Sequence, residues 1–358
     1  MKFAARPGMT DEVLYARDGR LGRIMLNRPK VINVLNDPVV TSVLAQLQDW
    51  AQDDSIAAVS IQGTGDRGLC AGADVRALRA AILAGAGDEM RFWNHEYQLN
   101  ADIGSYPKPF VAFMDGIVMG GGVGISAHGS LRLVTERSRI AMPETIIGFS
   151  PDTGGMFRLS RAPGEIGTHL AMTGLSIGGA DAVACGLADA LAASDDIPKI
   201  IARLAGGVSP DAVLSDGGFG STSASGELAT QREWIDTCYA GDDPVAILRA
   251  LREHSAPGAR QSAEVLASRS PLAVCIALEA IRRASRMDTL DQVLEQDLIL
   301  CSALAEAGDF VEGVRALLVD RDDAPRWRHR SVADVDPAEV ALALTGGRRV
   351  AATTAGKG

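Results

Sequence analysis

"FVAFMDGIVMGGGVGISAHG", Phe110 to Gly129, decides the fold. Its first half, through Met119, is an apolar run that reads as a buried strand. Its second half is built almost wholly from small residues and reads as the opening of a helix. A strand passing through glycines into a helix is the unit of an α/β chain.

The same alternation continues on both sides. Upstream, "VLYARDGRLGRIMLNRP" predicts a hairpin turning at Asp18-Gly19. "NDPVVTSVLAQLQDWAQDD" predicts a helix capped by Asn36 or Asp37, with Val40, Val43, Leu44, Leu47 and Trp50 on one face. "AAVSIQGTG" is a short strand, and "DVRALRAAILAG" and "DEMRFWNHEYQLNADIGSYP" are two helices. Downstream, "LRLVTE" and "RIAMPE" are two more strands.

After Ala205 the character changes. Residues 206–230 are rich in Gly and Ser and read as a linker or loop, and residues 231–345 read as a helical C-terminal region. Leu290, Val293, Leu294, Leu298, Cys301 and Leu304 form one stripe there. Residues 1–10 are expected to be flexible, 11–205 to form the core, and 346–358 to be a disordered tail.

Composition narrows the partners. The chain has 358 residues and a net charge of −10, without a cluster of Lys and Arg interleaved with aromatics, so nucleic acid is not expected. No segment reaches the roughly 18 apolar residues of a membrane span, and the first ten residues lack a signal-peptide core. Five scattered cysteines, never in a CxxC pair, suit reduced thiols in a cytoplasm.

Several templates for chemistry fail. "GTGDRG", Gly63 to Gly68, satisfies G-x-G-x-x-G after a strand, but "LCAGAD" intervenes before helical periodicity resumes, which argues against dinucleotide binding. Ser126 and Ser150 lack the G-x-S-x-G context, and the five histidines show no metal-ligand spacing. His128 reads as a packing residue.

Two small-residue strand-to-helix junctions remain, "CAGAD" (Cys70 to Asp74) and "MGGGVG" (Met119 to Gly124). Free amides at two such junctions can be aimed at one carbonyl oxygen as an oxyanion hole. Acids accompany them. Glu144 and Asp152 lie in "AMPETIIGFSPDTGG", Ala141 to Gly155, among apolar and glycine neighbours. Glu96 sits inside the stripe of Phe92, Leu99 and Ile103. Glu144 can also be read as half of an arginine pair and Asp152 as a helix cap, but a carboxylate on a buried face needs a partner or a task.

"LCAGADVRAL", "DGIVMGGGVGIS" and "AMPETIIGFSPDTGG", in that order, resemble the crotonase (enoyl-CoA hydratase/isomerase) superfamily from about Val13 to Trp327. "FWNHEYQLN" and the late "GDFVEGVRALLVDRDDAPRW" look like the branch that hydrolyses 3-hydroxyisobutyryl-CoA in valine breakdown. The resemblance implies an α/β spiral of ββα turns with a C-terminal α-helical region, acyl-CoA substrates, no metal or redox cofactor, and a homo-oligomer, a trimer or hexamer. It implies an oxyanion hole at Ala73 and Gly121, Glu144 as principal carboxylate, Asp152 as its companion, and Glu96 as a substrate contact. Glu144 can attack the thioester directly or activate water. A typical hydratase of the family carries a first catalytic Glu at the position of Gly124, and its absence here favours hydrolysis. A hydratase or isomerase, and a non-catalytic acyl-CoA-binding or assembly protein, are the alternatives. Arg28 and Lys30 in "LNRPK" are candidates for the CoA phosphates.

Overall fold

A computed structural model describes residues 2–85, 87–217 and 226–346. The strands are β1 (Val13–Asp18), β2 (Leu21–Leu26), β3 (Ala58–Gly63), β4 (Gly68–Cys70), β5 (Phe110–Met114), β6 (Ile117–Met119), β7 (Leu131–Val134), β8 (Arg139–Ala141), β9 (Ile177–Gly178) and β10 (Ala190–Leu191). The first helices are α1 (Asp37–Gln52), α2 (Val75–Ala84), α3 (Asp88–Gly104), α4 (Gly121–Ala127), α5 (Gly155–Leu159), α6 (Ile166–Thr173), α7 (Gly179–Ala184) and α8 (Ile197–Ala205). Those that follow are α9 (Pro210–Gly217), α10 (Leu228–Tyr239), α11 (Pro244–Glu253), α12 (Pro257–Ser268), α13 (Pro271–Ala284), α14 (Leu290–Ala307), α15 (Asp309–Val314) and α16 (Pro337–Ala343).

The strands form two sheets, ordered β1-β2-β3-β5-β7-β10 and β4-β6-β8-β9. β3, β5 and β7 run parallel in the first, and β4, β6 and β8 run parallel in the second. Each turn of the chain therefore lays one strand in each sheet before a helix carries it onward, which makes the fold a spiral of ββα turns. The run Phe110 to Met119, expected as one strand, is two strands in different sheets. The chain bends at Asp115-Gly116, where Gly116 has φ +70°. A side chain there would stand 2.7 Å from Arg67 O and from Gly68 Cα, because successive corners stack on one another.

Local chemistry explains the boundaries. β1 and β2 pair with Asp18 opposite Leu21, so Gly19 and Arg20 make the two-residue loop and Gly19 takes φ +57°. Asn36 caps α1 by accepting from the Val39 amide at 3.0 Å. Thr289 and Gln292 form a capping box at the start of α14. α13 is buried on nearly every face and serves as the axis of the helical region.

Three expectations need correction. The first residues, expected to be flexible, are pinned: Ala4 exchanges backbone hydrogen bonds with Tyr15 at 3.0 and 2.8 Å, extending the hairpin edge. Within 206–230, expected as a linker, residues 210–217 form α9 and α10 begins at Leu228. Val213 is buried against the apolar face of α8, which is why a segment rich in Gly and Ser still folds. Residues 218–225 of that span, and the expected disordered tail from 347 to 358, lie outside the described residues. Among the described residues no helix is long and apolar enough to cross a membrane.

Candidate active site

The two glycine-rich junctions meet. Leu35 pairs with Ala73 in a parallel bridge that uses the carbonyl of Gly72 and the amide of Asp74, both at 2.8 Å, leaving the Ala73 amide on the opposite side. Gly121 opens α4, so its amide has no partner within the helix. A methyl group added at Gly121 would stand 3.5 Å from the Ala73 nitrogen, and one added at Gly72 would stand 3.7 Å from the Gly121 nitrogen. Asp74 caps α2 by accepting from the Ala77 amide at 3.3 Å.

Ala73, Gly121, Glu96, Glu144 and Asp152 all line one cavity of about 360 Å³. Glu96 comes from α3, and its Oε1 lies where a side chain at Gly121 would stand. Glu144 follows β8 and opens a 3-10 turn, Glu144–Ile147, rather than ending the strand as expected. Its Oε1 is 2.7 Å from the point where a Gly120 side chain would begin, beside the paired junctions. Among the described residues Glu144 makes no ion pair, so the arginine-pair reading does not hold. Asp152 does not cap a helix with its side chain; its Oδ2 accepts from the Tyr97 hydroxyl at 2.7 Å.

The acids share a dry enclosure. Burial, and then the neighbouring Asp152, hold the Glu144 carboxyl well above the usual carboxylate range. The same two causes act on Glu96. Asp152 is raised less, to about 6, because the Tyr97 hydroxyl and a backbone hydrogen bond oppose its desolvation. At neutral pH the Glu144–Asp152 pair therefore holds one proton and one charge, with the charge on Asp152. Glu96 Oε1 and Glu144 Oε2 are buried without a hydrogen-bond partner, which leaves both free to meet a ligand.

Other parts of the site were not visible in the sequence. Tyr97 OH lies 2.6 Å from Cys301 Sγ as well as bonding Asp152. Asp297 of α14 accepts from the Gly154 amide at 2.8 Å and is buried. Its signal was available: Leu290, Leu294, Asp297, Cys301 and Leu304 share one helical face, the pattern that exposed Glu96. Apolar walls come from Trp93, Phe149 and Phe310, with ring centroids 5.6 Å apart for the first pair and 5.0 Å for the second. Leu317 and Leu318 close the rim. They stand on a π-helical turn, Arg315–Val319, of the late motif, and Arg76 and Arg79 of α2 donate to the carbonyls of Leu318 and Val311. The helical region is thus a wall of the site, not a separate module.

Gly124 is occluded. A side chain there would meet Thr153 Cβ at 2.6 Å and Asn100 Nδ2 at 2.9 Å. His128 packs as expected, with Nε2 2.9 Å from Thr153 O and burial lowering it to about 4. Arg28 is committed elsewhere: it pairs with Glu12 at 3.0 Å and Asp74 at 3.2 Å and donates to Val34 O, so its charge is already opposed. Lys30 is exposed.

Replacing Tyr97 with Phe removes the donor that favours ionised Asp152. The acid limb of the kcat/KM profile should then move up by about one pH unit. An unmoved limb in a pH-rate series would show that the hydroxyl does not govern Asp152.

A family model described as "Enoyl-CoA hydratase/isomerase" matches residues 21–344. The chain belongs to the enoyl-CoA hydratase/isomerase family, the crotonase superfamily. It is 37% identical over 334 residues to "3-hydroxyisobutyryl-CoA hydrolase, mitochondrial" of Rattus norvegicus, covering 91% of this chain and 86% of that one. The protein of the same name from Homo sapiens is 34% identical over 343 residues, 94% of this chain and 89% of the other. Among solved structures it is similar to a carnitinyl-CoA dehydratase from Mycobacterium thermoresistibile, with TM-score 0.89, 44% identity, and 94% and 96% of the two chains covered. It is also similar to an enoyl-CoA hydratase from Rhodobacter sphaeroides, with TM-score 0.87, 36% identity, and 93% and 97% covered.

Proposed function

We propose that this chain hydrolyses 3-hydroxyisobutyryl-CoA to 3-hydroxyisobutyrate and CoA, a step of valine breakdown. The observation that carries the reading is the makeup of the acid set. Glu144 and Asp152 line the cavity with the paired amides, while the position of a hydratase's first glutamate is Gly124, walled by Thr153. Relatives named as 3-hydroxyisobutyryl-CoA hydrolases, aligned over about nine-tenths of the chain, support the same conclusion.

The chemistry follows from the geometry. The thioester oxygen sits between the amides of Ala73 and Gly121, which stabilise the charge that develops on it as the carbonyl carbon becomes tetrahedral. One such donor is worth about 3 kcal/mol or more. Water attacks and gives a proton to the ionised member of the acid pair. The C–S bond breaks, and the protonated member supplies a proton to the leaving sulfur. The pair begins and ends with one proton, so the cycle balances without a cofactor; the CoA is part of the substrate. Direct attack by Glu144, through a mixed anhydride later opened by water, uses the same groups. Glu96 receives the hydroxyl of the acyl chain, the contact that separates this substrate from an unsubstituted acyl-CoA.

A panel of acyl-CoAs assayed for free thiol tests the reading. The 3-hydroxyisobutyryl thioester should release CoA with the highest kcat/KM. Loss of enoyl absorbance without thiol release would replace hydrolysis with hydration, the reaction in the titles of the similar solved structures.

A further inference from the structure

Asp152 belongs to a turn with a strained backbone. Thr153 has φ +54°, a region where β-branched residues are rare, and Gly154 follows at φ +73°. Three helices hold it. Asn100 of α3 donates to Thr153 O at 3.4 Å, His128 just after α4 lies 2.9 Å from the same oxygen, and Asp297 of α14 accepts from the Gly154 amide at 2.8 Å.

Asp297 stands apart from the other two. It is a carboxyl group fully enclosed in a site that already holds Glu96, Glu144 and Asp152, and its Oδ1 is buried without a partner. One helical turn further along α14, Cys301 touches the Tyr97 hydroxyl that bonds Asp152. α14 thus reaches Asp152 twice, through the backbone at Gly154 and through the phenol of Tyr97.

We propose that Asp297, through its bond to the Gly154 amide, is the positioning residue that aims Asp152 at the reacting thioester. The groups facing Asp152 and its turn are Glu96 and Tyr97 from α3, Glu144 from the 3-10 turn, His128, and Asp297 and Cys301 from α14. In that company a second fixed charge would oppose the one on Asp152. Burial, then Asp152 itself, keep the Asp297 proton bound. A neutral acid still presents a carbonyl oxygen to Gly154, so the tie is kept without the charge.

The proposal rests on the hydrolase reading for its kinetic readout, and the variants D297A and D297N test it. D297A should lower kcat about tenfold to a hundredfold, with KM changed less than about threefold, as expected when a reacting group is misplaced. D297N keeps an acceptor for Gly154 and should restore kcat to within about threefold of wild type, with the acid limb of the pH profile unmoved. A wild-type kcat in D297A, or a loss in D297N as deep as in D297A, overturns the proposal; the isosteric D297N reports even where D297A fails to fold. Wild-type protein that releases no thiol from any acyl-CoA would remove the hydrolase reading instead. Exchange of the Gly154 amide then still decides: it should quicken in D297A and not in D297N, and equal rates in all three proteins overturn the tie.

Discussion

Glu144→Gln should abolish thiol release, lowering kcat about a thousandfold or more while KM changes only a few-fold. The substitution is nearly isosteric, so the cavity keeps its shape. What it removes is the exchangeable proton of the pair, and proton transfer at each of two steps is worth about a hundredfold to ten-thousandfold. Because Glu144 Oε2 has no hydrogen-bond partner, the amide breaks no existing bond, and thermal stability should hold or rise. Titration of the variant with a non-hydrolysable acyl-CoA separates binding from turnover. Undiminished kcat would shift the reading to the non-catalytic acyl-CoA-binding alternative.

The second large effect is expected at Gly121. Its Cα lies against the oxyanion pocket, and a methyl group added there would press on Glu96 Oε1, stand 3.3 Å from Leu35 Cδ1 and crowd the Ala73 amide. Gly121 is not in the left-handed region, so the backbone itself accepts alanine. The penalty falls on the space for the thioester oxygen. Gly121→Ala should therefore lower kcat/KM about a hundredfold to a thousandfold with little change in melting temperature. A variant that melts normally and keeps wild-type kcat/KM would show that the oxygen binds elsewhere.

The acids and junctions of this site were legible because each breaks a local rule. Glu144 and Asp152 are charges in an apolar and glycine-rich stretch, Glu96 interrupts an apolar stripe, and Cys70 to Asp74 and Met119 to Gly124 replace large side chains with small ones where strands become helices. Features that depend on partners distant in sequence were hidden. Nothing local tells Arg28 that Glu12 and Asp74 will both reach it. The bend at Asp115-Gly116 leaves both flanking segments buried, so hydrophobicity runs through it and conceals the change of sheet. α9 packs with few apolar residues, and its composition is that of a loop. Phe310, Leu317 and Leu318 look like any helical core residues until the fold lays them over the cavity.

The contact between Gly124 and Thr153 bears on how one reaction in this superfamily gives way to another. Writing a glutamate into position 124 alone drives it into a side chain that is itself pinned in an unusual conformation. The bulk at 153 has to go first or at the same time. The two letters are a lock and its bolt, and a lineage crossing between water addition and thioester cleavage must either change both together or pass through an intermediate that does neither well.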